Sequence, residues 1–263
     1  MTPTPSTPRT VLVTGSTAGI GEAIARAFAR GGHTVVVNGR DRRRVGDAVA
    51  RIESAATGKV LPVAADVATA QGVREIVDAV PEVDVLVNNA GIFGEAPAFE
   101  ITDEEWQRYF DVNVLSGIRL TRAYAPGMAA RGWGRVIFIS SESAISTPGE
   151  MIHYGMTKTA QLAVARGFAQ AVAGTGVTVN SVLPGPTRTP GVEDFLRNSY
   201  GDLPFEEAER RFIAEYRPTS LIRRLSRPDE VASLVCYLGT DASSSTTGAA
   251  LRVDGGVTPT VIP

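Results

Sequence analysis

Tyr154 and Lys158 stand four residues apart in a segment with helical spacing, so the phenol and the ammonium project from one face, a turn from each other. A phenol that titrates near 10 is a poor acid–base group at neutral pH, but a neighbouring cation favours its ionised form. Bringing it near neutrality takes roughly 4 kcal/mol of differential interaction, which a lysine and a further cationic ring could supply jointly in a dry cleft. Alone, the pair is also what an aromatic residue and a lysine sharing a helix face look like. A second candidate is Thr14-Gly-Ser-Thr-Ala-Gly-Ile-Gly21, at the predicted end of a strand and start of a helix, where a helix N-terminus can receive a phosphate. Gly15 permits the turn, Gly19 lets backbone approach a pyrophosphate, and Gly21 lets the helix pack on the sheet. Three residues separate Gly15 from Gly19, so the spacing is not G-x-G-x-x-G, and such a turn can also be purely structural. Cys236, the one cysteine, excludes an internal disulfide and a multi-thiolate metal centre and reads as a core residue. No metal site is expected.

The elements that would carry these residues alternate. Short β-branched runs at Thr10–Thr14, Thr34–Asn38, Val60–Ala64, Val83–Asn88, Arg135–Ser140, Gly176–Val182 and Ala250–Val253 read as strands. Between them, Ile20–Arg30, Arg42–Ala55, Ala70–Ala79, Asp103–Leu115, Ile118–Ala130, Ile152–Ala173 and Asp229–Leu238 have helical spacing. Thr102-Asp-Glu-Glu105 has the form of a capping box, and Pro228 marks another helix start. The pattern predicts one α/β domain over 10–263: a doubly wound Rossmann-type fold with a seven-stranded, mainly parallel sheet and helices on both faces. Thr2–Arg9, rich in Pro, Thr and Ser, reads as a flexible tail. Pro186–Ser220 is a long insertion, read as a lid; its Phe195, Leu196, Tyr200, Phe205, Phe212 and Tyr216 would form two amphipathic helices over an apolar pocket.

Composition narrows the classes. With 43% hydrophobic and 21% charged residues and a net charge of −2, the 263-residue chain reads as an ordinary globular protein without the basic excess of a nucleic-acid binder. No run approaches the roughly 20 apolar residues of a membrane span, and the first ten lack a secretory apolar core, so a cytoplasmic location is expected.

Taken in order, Thr14 to Gly21, Asn88-Asn-Ala-Gly91, Asn113, Ser141, Tyr154-Gly-Met-Thr-Lys158 and Pro184-Gly185 give the sequence a combined signature. It resembles the short-chain dehydrogenase/reductase (SDR) family, 3-oxoacyl-acyl-carrier-protein reductase-like members included, from about Thr10 to Gly256. The resemblance implies an enzyme that moves hydride between a nicotinamide cofactor and a carbonyl or alcohol. It makes Tyr154 the acid–base residue and Ser141 the donor to the substrate oxygen. Lys158 would bind the nicotinamide ribose and lower the tyrosine pKa, and Asn113 would help hold a relay water. Gly15, Ser16, Thr17, Gly19, Ile20 and Gly21 would form the phosphate loop, with Asn89 and Gly91 lining the cleft. Asp66 and Val67 would meet the adenine, and Pro184, Gly185, Thr187 and Thr189 the nicotinamide side. Ser140 is read as structural, because strand alternation sends adjacent hydroxyls to opposite faces. Glu142 reads as a solvated carboxylate, His153 as lining the cleft or solvent, and His33 as a surface residue.

The same resemblance places Gly39 where NAD-preferring members carry an acid and Arg40 where NADP-preferring members often carry an arginine. The expected cofactor is therefore NADP(H) ahead of NAD(H), although Ala18 lacks a basic residue many such members have, and Arg40 to Arg44 is also what a solvated helix start looks like. The expected substrate is a small or medium apolar ketone or alcohol. A 3-oxoacyl carrier-protein substrate is the alternative, weakened because Thr175 stands where such reductases often have arginine. A non-catalytic NADP-binding regulator is the alternative of another class; it would typically lack the tyrosine or the lysine. Apolar residues on more than one face of Asp103–Leu115 and Ile152–Ala173, helices that family members pair in dimers and tetramers, imply a homotetramer, with a dimer as the alternative.

Overall fold

The computed structural model describes residues 7–261. Among them, β-branched segments form β1 (Thr10–Val13), β2 (Thr34–Gly39), β3 (Val60–Ala64), β4 (Val85–Asn88), β5 (Gly134–Ile139), β6 (Val177–Pro184) and β7 (Ala250–Val253). They make one sheet in the order β3-β2-β1-β4-β5-β6-β7, with every neighbouring pair parallel. Parallel neighbours need crossovers, which are supplied by α1 (Gly19–Arg30), α2 (Arg42–Glu53), α3 (Ala70–Ala79), α4 (Asp103–Phe110), α5 (Ser116–Ala130), α6 (Ile152–Ala171) and α9 (Pro228–Leu238). Strand order reverses between β1 and β4, so the loops leaving their carboxyl ends diverge and open a crevice.

Alternation along each strand splits the core. Val11, Val13, Val35, Val37, Val85 and Val87 pack with residues of α1, α2 and α9 on one face. Leu12, Val36, Leu86, Val136 and Phe138 pack with residues of α3, α5 and α6 on the other. The 186–220 insertion contains α7 (Pro190–Tyr200) and α8 (Phe205–Tyr216), joined by their own small cluster of Leu196, Ala208, Phe212, Ile213 and Leu225.

Three local features differ from expectation. The predicted pair of helices over 103–130 is one rod, in which a π-helical turn, Asp111–Leu115, joins α4 directly to α5. Thr102 accepts from the Glu105 N–H as a capping residue should, but the Glu105 carboxylate pairs with Arg108 instead. His33 is buried rather than on the surface: the Gly31-Gly32 turn folds it against Phe28, and its Nδ1 accepts from the Arg9 N–H. Arg9 also lies over the Trp133 ring, 3.8 Å from its centroid, while 1–6 of the tail fall outside the described residues. Cys236 is half-buried against the first core cluster, and burial pushes its thiol up to about 12.

Candidate active site

A cavity of about 650 Å³ lies at the carboxyl ends of β1, β4, β5 and β6, roofed by α7 and α8. One end is made of backbone. Gly15 (φ +62) and Gly19 (φ +58) sit in the left-handed region, and a Cβ on Gly15 would come 2.9 Å from Ala90 Cα. A Cβ on Gly21 would come 2.5 Å from both the Gly15 carbonyl oxygen and Asn89 Nδ2. Asn89 holds the turn by donating to the carbonyls of Thr14 (2.9 Å) and Gly15 (3.1 Å). Gly19, Ile20 and Gly21 line the cavity, and Ala18 supplies no side-chain acceptor to the first-turn N–H groups of α1. An uncapped helix N-terminus with room for backbone approach fits the pyrophosphate of a dinucleotide.

The other end carries the titratable groups. β5 stops at Ile139, so Ser140 and Ser141 fall just beyond it, both in the cavity lining but with hydroxyls on different partners. Ser140 Oγ donates to the Lys158 carbonyl (2.8 Å), tying α6 to the strand, as its structural reading requires. Ser141, Tyr154 and Lys158 line the cavity together. Buried Lys158 donates to the Ile139 carbonyl at 2.9 Å, and its Nζ stands 5.5 Å from the Tyr154 ring centroid. Burial pulls the Lys158 pKa down to about 8, partly opposed by Glu142. The Tyr154 phenol is pushed above its ordinary range, first by burial and then by the Glu142 charge, with a hydrogen bond to Ser141 working the other way. Glu142 leads the charges that act on the phenol here, while the Lys158 ammonium is turned to the Ile139 carbonyl.

Asn113 sits buried in the π turn. Its Oδ1 accepts from the Ile92 N–H (2.8 Å), and its Nδ2 donates to the Ile92 carbonyl and Thr157 Oγ1 (3.0 Å each). Its carbonyl accepts from Gln161 Nε2 at 2.6 Å. A Cβ on Gly91 would lie 3.4 Å from Asn113 Oδ1 and 3.5 Å from Lys158 Nζ, so the bare backbone there spaces asparagine from lysine.

Of the remaining predicted contacts, Gly15, Thr17, Asn89, Gly91, Pro184, Gly185, Thr187 and Thr189 line the cavity. Thr189 caps α7 and packs on the phosphate turn, its Cγ2 3.1 Å from where a Gly19 Cβ would stand. Ser16 does not face it. Its hydroxyl donates to the Val13 carbonyl and accepts from the Asn38 N–H, binding β1 to β2. Asp66 and Val67 lie past β3, outside the lining, with Val67 in the second core cluster and Asp66 Oδ1 accepting from the Ala68 N–H. Arg40 is exposed and outside the lining, whereas Arg44, in the first turn of α2, is part of it.

Two readings of single residues are corrected. Glu142 is buried, not solvated: one carboxylate oxygen accepts from Ser141 Oγ (2.5 Å), and the other is paired with Arg217 Nε (3.1 Å). His153 lines neither cleft nor solvent, being 1% exposed and wedged against Tyr109 (centroids 4.0 Å) and Trp106. Sequence reasoning missed Arg217 altogether, since an arginine between Tyr216 and Pro218 has no local pattern. Glu142 had one available signal, its place next to Ser141.

Similarity to other proteins extends over nearly the whole chain. Residues 15–258 match the family model described as enoyl-(acyl carrier protein) reductase. The uncharacterized oxidoreductase YvaG of Bacillus subtilis is 49% identical over 256 residues, covering 96% of this chain and 97% of that one. The crystal structure of L-sorbose reductase from Gluconobacter frateurii, complexed with NADPH and L-sorbose, superposes with a TM-score of 0.92 at 31% identity, covering 97% and 98% of the two chains. A 3-oxoacyl-[acyl-carrier protein] reductase from Brucella melitensis with bound NAD gives 0.83 at 29% identity, covering 98% and 96%.

Proposed function

The chain belongs to the short-chain dehydrogenase/reductase family of oxidoreductases, and from that premise we propose that it interconverts a carbonyl and a secondary alcohol, with NADPH ahead of NADH, on a small or medium, largely apolar substrate. The observation that carries this reading is the convergence of Ser141, Tyr154 and Lys158 on one wall of a cavity whose far end is the Gly15–Gly21 cradle. When bound, the nicotinamide supplies or accepts the hydride. The cradle N–H groups would hold the phosphates, with Thr187 and Thr189 of the cavity lining as further contacts. Ser141 and Tyr154 meet the substrate oxygen, where charge builds as the carbonyl is reduced, so their hydrogen bonds strengthen toward the transition state. Tyr154 gives up its proton there, and Lys158 orients the ribose. The neutral phenol favoured by burial is the form that reduction needs. Phe93, Phe195, Phe212 and Tyr216 in the lining support an apolar substrate.

A 3-oxoacyl thioester is the second reading, supported by the similarity to the Brucella enzyme. Ketones, alcohols and a 3-oxoacyl thioester assayed with NADPH and NADH by cofactor absorbance separate these readings, and turnover of none would favour a non-catalytic cofactor-binding role. Tyr154→Phe is expected to lose at least about a hundredfold in kcat while keeping its affinity for NADPH. A variant that kept more than about a tenth of the wild-type rate would remove Tyr154 from the chemistry.

A further inference from the structure

We propose that Glu142 is a specificity-determining residue that accepts a hydroxyl carried by the carbon next to the substrate carbonyl, which makes the preferred substrate an α-hydroxy ketone or the matching vicinal diol. This rests on the carbonyl–alcohol reading above and narrows its substrate class.

The reasoning is an accounting of one proton. Ser141 Oγ has a single hydrogen, and in this structure it goes to Glu142 at 2.5 Å, while the serine oxygen accepts from the Ser143 N–H at 3.1 Å. To donate to a substrate oxygen, that hydrogen must turn away from Glu142. The carboxylate oxygen it leaves is buried, because the Glu142 side chain is only 6% exposed, and the salt bridge to Arg217 occupies the other oxygen. A buried acceptor that loses its donor keeps the desolvation penalty and loses the bond. A plain ketone brings nothing to replace the serine.

A ketone with a hydroxyl on the adjoining carbon does. Oxygens on adjacent carbons can sit about as far apart as two hydrogen-bonded oxygens, the spacing between Ser141 Oγ and the Glu142 carboxylate. The carbonyl oxygen can therefore lie against Ser141 and Tyr154 while the hydroxyl hydrogen takes the place Ser141 vacates. Arg217 holds the other Glu142 oxygen, so the acceptor left facing the cavity suits a neutral hydroxyl donor and disfavours a substrate carboxylate. The cavity lining also carries Phe93, set edge-on to Tyr154 at 6.4 Å, together with Phe195 and Phe212, and these rings take an apolar group. The favoured molecule thus has a hydroxymethyl or hydroxyalkyl arm on one side of the carbonyl and an apolar arm on the other.

The experiment compares kcat/KM, with saturating NADPH, for 2-hydroxyacetophenone, 2-methoxyacetophenone and acetophenone. The methoxy compound keeps an oxygen on the same carbon but has no hydrogen to give. Wild type is expected to prefer the hydroxy over the methoxy ketone by about tenfold to a hundredfold, the range for a hydrogen bond to a charged acceptor. Glu142→Ala should bring that ratio to within about threefold, and Glu142→Gln, which retains an acceptor oxygen, should leave it intermediate. Cofactor binding, read by NADPH fluorescence, reports whether each variant is folded; if Glu142→Ala is not, the wild-type ratio and Glu142→Gln decide. Equal wild-type efficiencies, or a preference that survives Glu142→Ala, would overturn the role of Glu142 and leave carbonyl reduction standing. Turnover of none of a wider ketone panel, plain or hydroxylated, would overturn the carbonyl reading itself and this inference with it.

Discussion

At the residue scale, the proposed chemistry turns on how three neighbours divide one dry wall. The Lys158 ammonium is destabilised by burial to about 8, and the Tyr154 phenol is held protonated. In the free enzyme the group that changes charge near physiological pH is therefore the lysine. We expect kcat/KM for NADPH to stay level through neutrality and to fall above about pH 8 as Lys158 loses its proton. Lys158→Met should be slower and lack that limb; a wild-type profile flat to pH 10 would contradict this. The same shift has a sign for stability: between about 8 and 10.5 the unfolded chain binds the Lys158 proton and the folded chain does not, so this residue makes stability rise with pH across that window. Cofactor choice also belongs here. Wild type is expected to favour NADPH over NADH by about tenfold to a hundredfold through a charge-assisted contact to the 2′-phosphate. Arg44 lines the cavity and Arg40 does not, so Arg44→Ala should erode the preference more than Arg40→Ala, and the double variant should nearly abolish it. An acid at Gly39 is a poor test, because a Cβ there would come 2.7 Å from Thr17 Cγ2 and disturb the phosphate turn whatever its charge. A wild type that favours NADH in kcat/KM would end the assignment to both arginines.

At the scale of elements, the sequence was readable wherever a residue's type is dictated by its own stretch of chain. Runs such as Thr34–Asn38 are β-branched because both faces of a parallel strand are buried, and the glycines of 15–21 are required by a backbone turn. The π turn was not readable, since Asp111–Leu115 has the composition of an ordinary helix. The extra residue per turn comes from tertiary ties that seat Asn113 between Ile92 and Thr157. The burial of Glu142 was hidden for a similar reason: its partner is 75 residues away, on the segment that follows α8. The lid can be drawn more tightly than the 186–220 insertion. Ser226 donates its N–H to the Pro186 carbonyl and accepts from the Arg188 N–H, and the Leu221 N–H bonds to the Gly255 carbonyl, so both ends are pinned to the body. Between these pins, α7 and α8 pack mainly on each other and reach the body through Thr189 at Gly19 and Arg217 at Glu142. Cofactor and substrate together should strengthen both contacts. We expect limited proteolysis of the apoprotein to nick first at the exposed Gly201–Pro204 turn and to slow severalfold with NADPH and substrate present. Equal cleavage with and without them would mean that α7 and α8 are a fixed wall.

At the scale of the whole molecule, the sheet commits the carboxyl ends of its strands to chemistry and leaves the outer helix faces for other uses. α6 shows how. Ala165 and Ala169 pack into the core, and Lys158 and Tyr154 face the cavity, so two of its faces are spoken for. The remaining one exposes Met156, Thr159, Ala163 and Gly167 in a row at helical spacing, beside half-buried Trp106 and Phe110 of α4. Thr159, Ala163 and Gly167 are small enough to let a second helix approach, with exposed Arg166 and Gln170 on the same stripe, and a two-fold axis through it would bring the same face from another copy. We expect a homotetramer with α6 in one of its symmetric interfaces, measured as a mass by light scattering at micromolar concentration. Gly167 gives the sharper test. A Cβ there meets nothing within 4 Å, and glycine inside a helix costs roughly 0.8–1 kcal/mol relative to alanine, so Gly167→Arg should fold at least as well as wild type. Its guanidinium would nevertheless hold a facing helix away. The expected variant keeps its helical circular dichroism and melting temperature as a subunit but loses mass in scattering. A wild-type monomer would rule out the assembly, and a Gly167→Arg tetramer would place its interfaces elsewhere than α6.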